Sequence, residues 1–242
     1  MGTVELCYTI FMNTEYNLET ILDNIEFLLS RYSMEYRAMT QPYLLQTVTK
    51  SVIGYTYNPA DHLVRETLIE HVGCLPIIAT ALYPYINDSE VNLGDALIML
   101  AVHDIGELVV GDENVFTKND SGRQAEFNAG LGLLHTYYHP FYEAVENKTT
   151  KSAKFAKSVD KVAADIIDYL TPANITKERL KHFADFEPDQ IVPKIIEFKR
   201  PHMIWNPFLE EFHIHLISRL AKKLNSVDNA KELLTSYQTA SN

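Results

Sequence analysis

The chain has 242 residues, 46% hydrophobic and 22% charged, with a formal net charge of −11. That is apolar material for one sizeable core, and so acidic a chain disfavours broad binding to DNA, RNA or anionic membrane while leaving small phosphate esters open as ligands. No uninterrupted apolar run approaches a bilayer's thickness, the N-terminus lacks a secretory pattern, and two cysteines, Cys7 and Cys74, fit a reducing, cytoplasmic setting without a disulfide framework.

Most of the chain carries helical periodicity. Asn17 is placed to cap a first helix over 18–29, where Leu18, Ile21, Leu22, Ile25, Leu28 and Leu29 form one stripe. Residues 38–60 mix Thr, Tyr, Val, Gln and Pro without a period and read as loop with room for a short strand or helix. Further helices are predicted near 62–84, 93–109, 120–137, 140–146, 151–170, 175–184, 188–199 and 207–224. Asn92 caps the second of these, with Asp95 in its first turn facing the helix dipole. Gly111 suits a sharp exit after Val110, and Thr171-Pro172 stops the helix over 151–170. The architecture expected is an all-α bundle.

The chemistry concentrates in Ala96–Asp112, an apolar run broken by His103, Asp104, Glu107 and Asp112. Burying such groups costs several kcal/mol unless a partner compensates, and a divalent metal is the strongest compensator available. Two other segments supply further ligands: Arg65–His71, and Lys157–Leu170, which carries Asp160. On a continuous helix His103 and Glu107 share a face, with Asp104 rotated by about 100° from His103. Glu107 then projects one turn beyond the metal. Arg65 and Lys157 are candidates for neutralising a substrate phosphate.

His71, His103-Asp104 and Asp160 stand in the order H…HD…D, followed at fixed offsets by Glu107 and Gly111-Asp112. This pattern resembles the HD-domain metal-dependent phosphohydrolases and is most similar to their 5′-deoxynucleotidase branch. Glu70 directly before His71, and Lys157 three residues before Asp160, fit the same branch. The resemblance spans about 60–172. It implies one HD-domain helical bundle over 1–242, with an N-terminal extension over 1–59 and added C-terminal helices over 173–242.

The resemblance also implies one divalent ion (Mn, Co, Mg, Zn or Fe) on His71, His103, Asp104 and Asp160, with Glu107 and Asp112 taking part in catalysis. The expected substrate is a small nucleotide, a 5′-(deoxy)nucleoside monophosphate, with a homodimer as a plausible assembly. The alternatives are a deoxynucleoside triphosphate triphosphohydrolase and a non-catalytic nucleotide sensor. The arginine-tryptophan pair with which many such enzymes judge the sugar has no counterpart, since Trp205 is the only tryptophan. Glu70 is either an outer partner of His71 or a surface residue, and Glu126 is a candidate outer partner of the metal site. The pairs His135/His139 and His213/His215 read as surface or structural, and Pro201–Phe208 as packing.

Overall fold

The structure, a computed structural model, describes residues 18–35, 37, 66–113, 118–174, 176–177, 181 and 190–224. Among them the chain is helical, with no strand. In chain order the helices are α1 (Leu18–Met34), α2 (Leu68–Leu82), α3 (Leu93–Val102), the single turn α4 (Glu107–Val110), α5 (Asp120–Leu133), α6 (His139–Asn147), α7 (Lys151–Leu170), α8 (Ile191–Lys199) and α9 (Pro207–Lys223). Asn17, Arg65 and the loop expected over 38–60 lie outside the described residues, as does most of 175–184.

Helix α7 is central, packed against α2, α3, α6 and α9. It starts where the Thr150 side chain accepts from the Ala153 amide and stops where Thr171 turns extended. Its buried face is built of Ala153, Phe155, Ala156, Val159, Val162 and Ala163, and these meet Leu75 and Ala79 of α2 and Ala96, Met99 and Leu100 of α3. A second cluster joins α8 to α9 through Ile191, Val192, Ile195, Ile217 and Leu220. A third, with Tyr32, Leu68, Ile105, Leu108 and Tyr142, lies beneath the His-Asp segment.

Three expected boundaries shift. The first helix continues to Met34, and the helix expected over 120–137 ends at Leu133, followed by a short 3₁₀ turn. The largest change concerns 93–109, expected as one helix. The α-helix stops at Val102, and residues 103–106 tighten to i→i+3 bonding, with the amides of Ile105, Glu107 and Leu108 donating to the carbonyls of Val102, Asp104 and Ile105. The His-Asp pair therefore sits in a turn between α3 and α4. The exit is as expected, since Gly111 adopts φ 81°.

The segment Leu68–Tyr85 departs from the expectation that no run matches a bilayer, because its length and apolarity alone would suffice to cross one. Its face of Leu68, His71, Leu75, Ala79 and Leu82 is nevertheless buried, and α2 packs on α3 and α7.

Candidate metal centre

Three elements bring the polar cluster together. The first turn of α2 presents His71, and its start is fixed by a reciprocal box in which the Thr67 side chain accepts from the Glu70 amide and the Glu70 carboxylate accepts from the Thr67 amide. Glu70 is thus an N-terminal capping residue. The outer partner of His71 is Glu66, fully buried, with Oε2 3.7 Å from Nδ1. The turn after α3 presents His103 and Asp104, and α7 presents Asp160. Gly106 permits the turn, since a Cβ there would lie 2.2 Å from the Glu126 carbonyl oxygen on α5.

The geometry converges on one point. Asp160 Oδ1 is 3.4 Å from His71 Nε2 and 3.6 Å from His103 Nε2. Asp104 Oδ1 is 3.0 Å from His103 Nε2, and its Oδ2 is 3.5 Å from His71 Nε2. His103 Nδ1 lies 2.9 Å from the Leu100 carbonyl, so that nitrogen donates and Nε2 turns toward the carboxylates. All four side chains are buried.

Among the described residues neither His71 Nε2 nor His103 Nε2 finds a hydrogen-bond partner, despite the carboxylates around them. Nitrogens and oxygens that face one another at these distances without hydrogen-bond geometry are arranged around a shared centre. Two imidazoles and two carboxylates form a mixed nitrogen and oxygen set that suits a divalent first-row metal or magnesium. The residues present fit a metal ion.

Beside this set lies a second buried group, Asp104, Glu107 and Glu126. The protein supplies its counter-charge. Arg37 Nη1 donates to Asp104 Oδ2 at 2.9 Å and to Glu107 Oε2 at 3.0 Å, while its Nε is 3.5 Å from Asp112 Oδ2. Lys118 pairs with Glu126. Arg37 reaches this position because its amide donates to the Glu66 carbonyl at 2.7 Å, tying the end of α1 to the start of α2.

A model of the family described as HD domain matches residues 57–186, more than half of the chain. The chain belongs to the HD domain family. Among solved structures, the chain is similar to a predicted metal-dependent phosphohydrolase from Magnetospirillum magnetotacticum MS-1, with 19% identity over 84% of this chain and 96% of that one and a TM-score of 0.54. A conserved hypothetical protein from Pyrococcus furiosus shares 20% identity over 74% of this chain and 99% of its own, with a TM-score of 0.47. No curated protein is similar enough to match.

Of the residues singled out from the sequence, the HD domain brings His71, His103, Asp104, Asp160, Glu107 and Asp112 together. Lys157 stands at the edge, 3.2 Å from Glu146 and 4.0 Å from Asp160 Oδ2. Arg65 lies outside the described residues. Glu126 is buried, with its backbone carbonyl against Gly106. His139 Nε2 sits near the Leu131 and Leu134 carbonyls, and His213 is buried 3.3 Å from Asp165, so both are structural. Arg37, Glu66 and Lys161, whose Nζ is 2.9 Å from Asp160 Oδ2, were not singled out.

The electrostatics divide the site. Burial alone would lower the His103 pKa, but the carboxylates of Asp104 and Asp160 outweigh it and push the imidazole up to about 10. His71 is raised in the same sense, Asp160, Glu66 and Asp104 outweighing burial and Arg37. Against burial, His103, Arg37 and His71 hold Asp104 well below the usual carboxylate range, and Lys161 with the two imidazoles does the same for Asp160. Glu107 moves the other way: burial and Asp104 drive it up, and Arg37 offsets only part of this.

The sign of the pH dependence follows. A raised imidazole stabilises the fold fully below the unfolded histidine value of about 6.5, and that contribution is lost as pH rises through the folded value. Metal-stripped protein is therefore expected to lose thermal stability between pH 7 and 10. Ligation requires neutral imidazoles, so metal binding is expected to release protons and to tighten over the same range. Titrating metal in buffers of different ionisation enthalpy measures that release; binding without proton release would contradict the assignment of His71 and His103.

Proposed function

We propose that this protein is a metal-dependent phosphohydrolase that removes phosphate from a small nucleotide, a 5′-(deoxy)nucleoside monophosphate. The observation that carries the reading is the convergence of two orphaned imidazole nitrogens and two carboxylates beside a buried glutamate whose protonated form is favoured. The similar fold of a predicted metal-dependent phosphohydrolase supports it, as do the H…HD…D order and the offsets of Glu107 and Asp112 in the sequence. A net charge of −11 favours a small phosphate ester over a polyanion.

His71, His103, Asp104 and Asp160 would hold a divalent ion, which would supply Lewis-acid chemistry toward phosphate and water. The remaining steps belong to side chains. Glu107, whose pKa is raised by burial and by Asp104, is the group placed to donate a proton to the departing 5′-oxygen. Arg37 fixes the carboxylate of Glu107 in place and offers positive charge to the phosphate. Asp112, on the far side of the guanidinium, orients Arg37. Lys157 and Lys161 line the α7 edge, where phosphate oxygens can be neutralised.

The test is a panel of nucleoside mono-, di- and triphosphates offered to metal-stripped protein with Mn, Co, Mg or Zn restored, following phosphate, pyrophosphate and triphosphate separately. Metal-dependent phosphate release from monophosphates is expected. Triphosphate release would reassign the protein as a triphosphohydrolase. Tight nucleotide binding without turnover would make it a sensor.

A further inference from the structure

Three buried carboxylates converge beside the metal set. One oxygen from each of Asp104, Glu107 and Glu126 falls within 4.8 Å of the other two. Acidic groups this close repel one another unless a cation lies among them, and an all-oxygen set is what Mg or Mn takes. Asp104 belongs to both groups. Its Oδ1 is 3.0 Å from His103 Nε2 on one side, and its Oδ2 is 2.9 Å from Arg37 Nη1 on the other. A carboxylate shared in this way can join the two ions of a two-metal hydrolytic site, which stand about 3.5–4 Å apart.

In this chain a side chain lies in the second group. Arg37 Nη1 is 2.9 Å from Asp104 Oδ2, 3.0 Å from Glu107 Oε2 and 3.3 Å from Glu107 Oε1. One nitrogen thus meets three carboxylate oxygens, as a coordinated cation would. Nε of the same guanidinium is 3.5 Å from Asp112 Oδ2, and Lys118 pairs with Glu126. The Arg37 side chain is only 16% exposed, and its backbone is tied by the amide that donates to the Glu66 carbonyl at 2.7 Å. A guanidinium keeps its charge at any pH the protein meets and, unlike an ion, cannot dissociate from the chain. An ion entering between Asp104 Oδ2 and Glu107 would first have to displace it and leave a buried charge without its partners.

Resting on the metal-dependent reading above, we propose that Arg37, supported by Lys118, takes the place of a second metal ion and holds the centre to a single ion. Asp104, Glu107 and Glu126 are then a latent second cation site, closed by an arginine and opened by its removal. The number of ions is set by a residue outside the H…HD…D pattern, so the ligands of the first ion do not by themselves decide it.

The experiment loads the metal-stripped full chain with Mn in the absence of nucleotide. Ions per chain are counted by elemental analysis, and electron paramagnetic resonance tells an isolated Mn from a coupled pair. Wild type is expected to hold one isolated ion at saturation. Arg37→Met is expected to hold two, coupled through Asp104, with a melting temperature that rises in two steps as Mn is added. Arg37→Lys keeps the positive charge, and the double variant Arg37→Met/Glu107→Gln removes a carboxylate of the second site; both are expected to stay at one ion. Two ions in wild type overturn the proposal, and so does a single ion in saturated Arg37→Met. Because Arg37→Met leaves buried carboxylates uncompensated, its folding is followed with and without Mn. A fold regained with two ions supports the proposal, and a fold that Mn does not restore overturns it. Wild type that holds one ion but hydrolyses no nucleotide would sink the phosphohydrolase reading and leave this proposal standing. Wild type that holds a coupled pair and releases phosphate would do the reverse.

Discussion

His103→Ala is expected to remove bound metal and turnover together. The imidazole is 1% exposed, its Nδ1 is fixed by the Leu100 carbonyl, and its Nε2 stands between Asp104 and Asp160. Without it the two carboxylates face each other across a void, with only His71 left to supply nitrogen. Loss of a partner one shell further out already costs about 10–100-fold in metal affinity or activity, and loss of a direct ligand exceeds that. Metal analysis after dialysis should find the variant empty, and its melting temperature should no longer respond to added metal. His135→Ala is the control, since the His135 side chain is exposed and, among the described residues, accepts from the Tyr137 amide alone; it should keep both metal and rate. Stoichiometric metal with normal turnover in His103→Ala would remove His103 from the ligand set.

The residues of the candidate centre were legible because each is a polar interruption of an apolar face, and their order carries a family pattern. Helix α7 was legible to its ends because Thr150, a strong amphipathic stripe and Thr171-Pro172 agree. The break after Val102 was not. Residues 93–109 are apolar on nearly every side, so periodicity cannot mark a boundary there. The turn is set by the contact of Gly106 with the Glu126 backbone, which no local pattern encodes. Arg37 escaped notice for the same reason. Its partners lie 67 to 75 residues away, and it is followed by alanine where the family pattern has tryptophan. Glu70 was legible after all, since Thr67-Leu68-Ile69-Glu70 is a capping box before an apolar run. With Glu70 occupied as a cap, Glu66 is the acidic residue left to face His71.

Glu107→Gln separates chemistry from assembly. The carboxylate is buried, within 3.0–3.3 Å of Arg37 Nη1, and adjacent to Asp104 without belonging to the cluster of His71, His103 and Asp160. Glutamine keeps its size and its acceptor for Arg37 but cannot donate a titratable proton. Metal content and fold are therefore expected to survive, while kcat falls by about 10²–10⁴, the range that positioned acid–base groups supply. The pH profile gives a sharper reading. A general acid acts in its protonated form, so wild-type activity should decline as pH rises through the raised pKa of Glu107, and the variant's residual rate should lack that limb. Loss of metal along with rate would instead place Glu107 among the ligands, and an unchanged rate would leave Arg37 and the metal centre to carry the reaction without it.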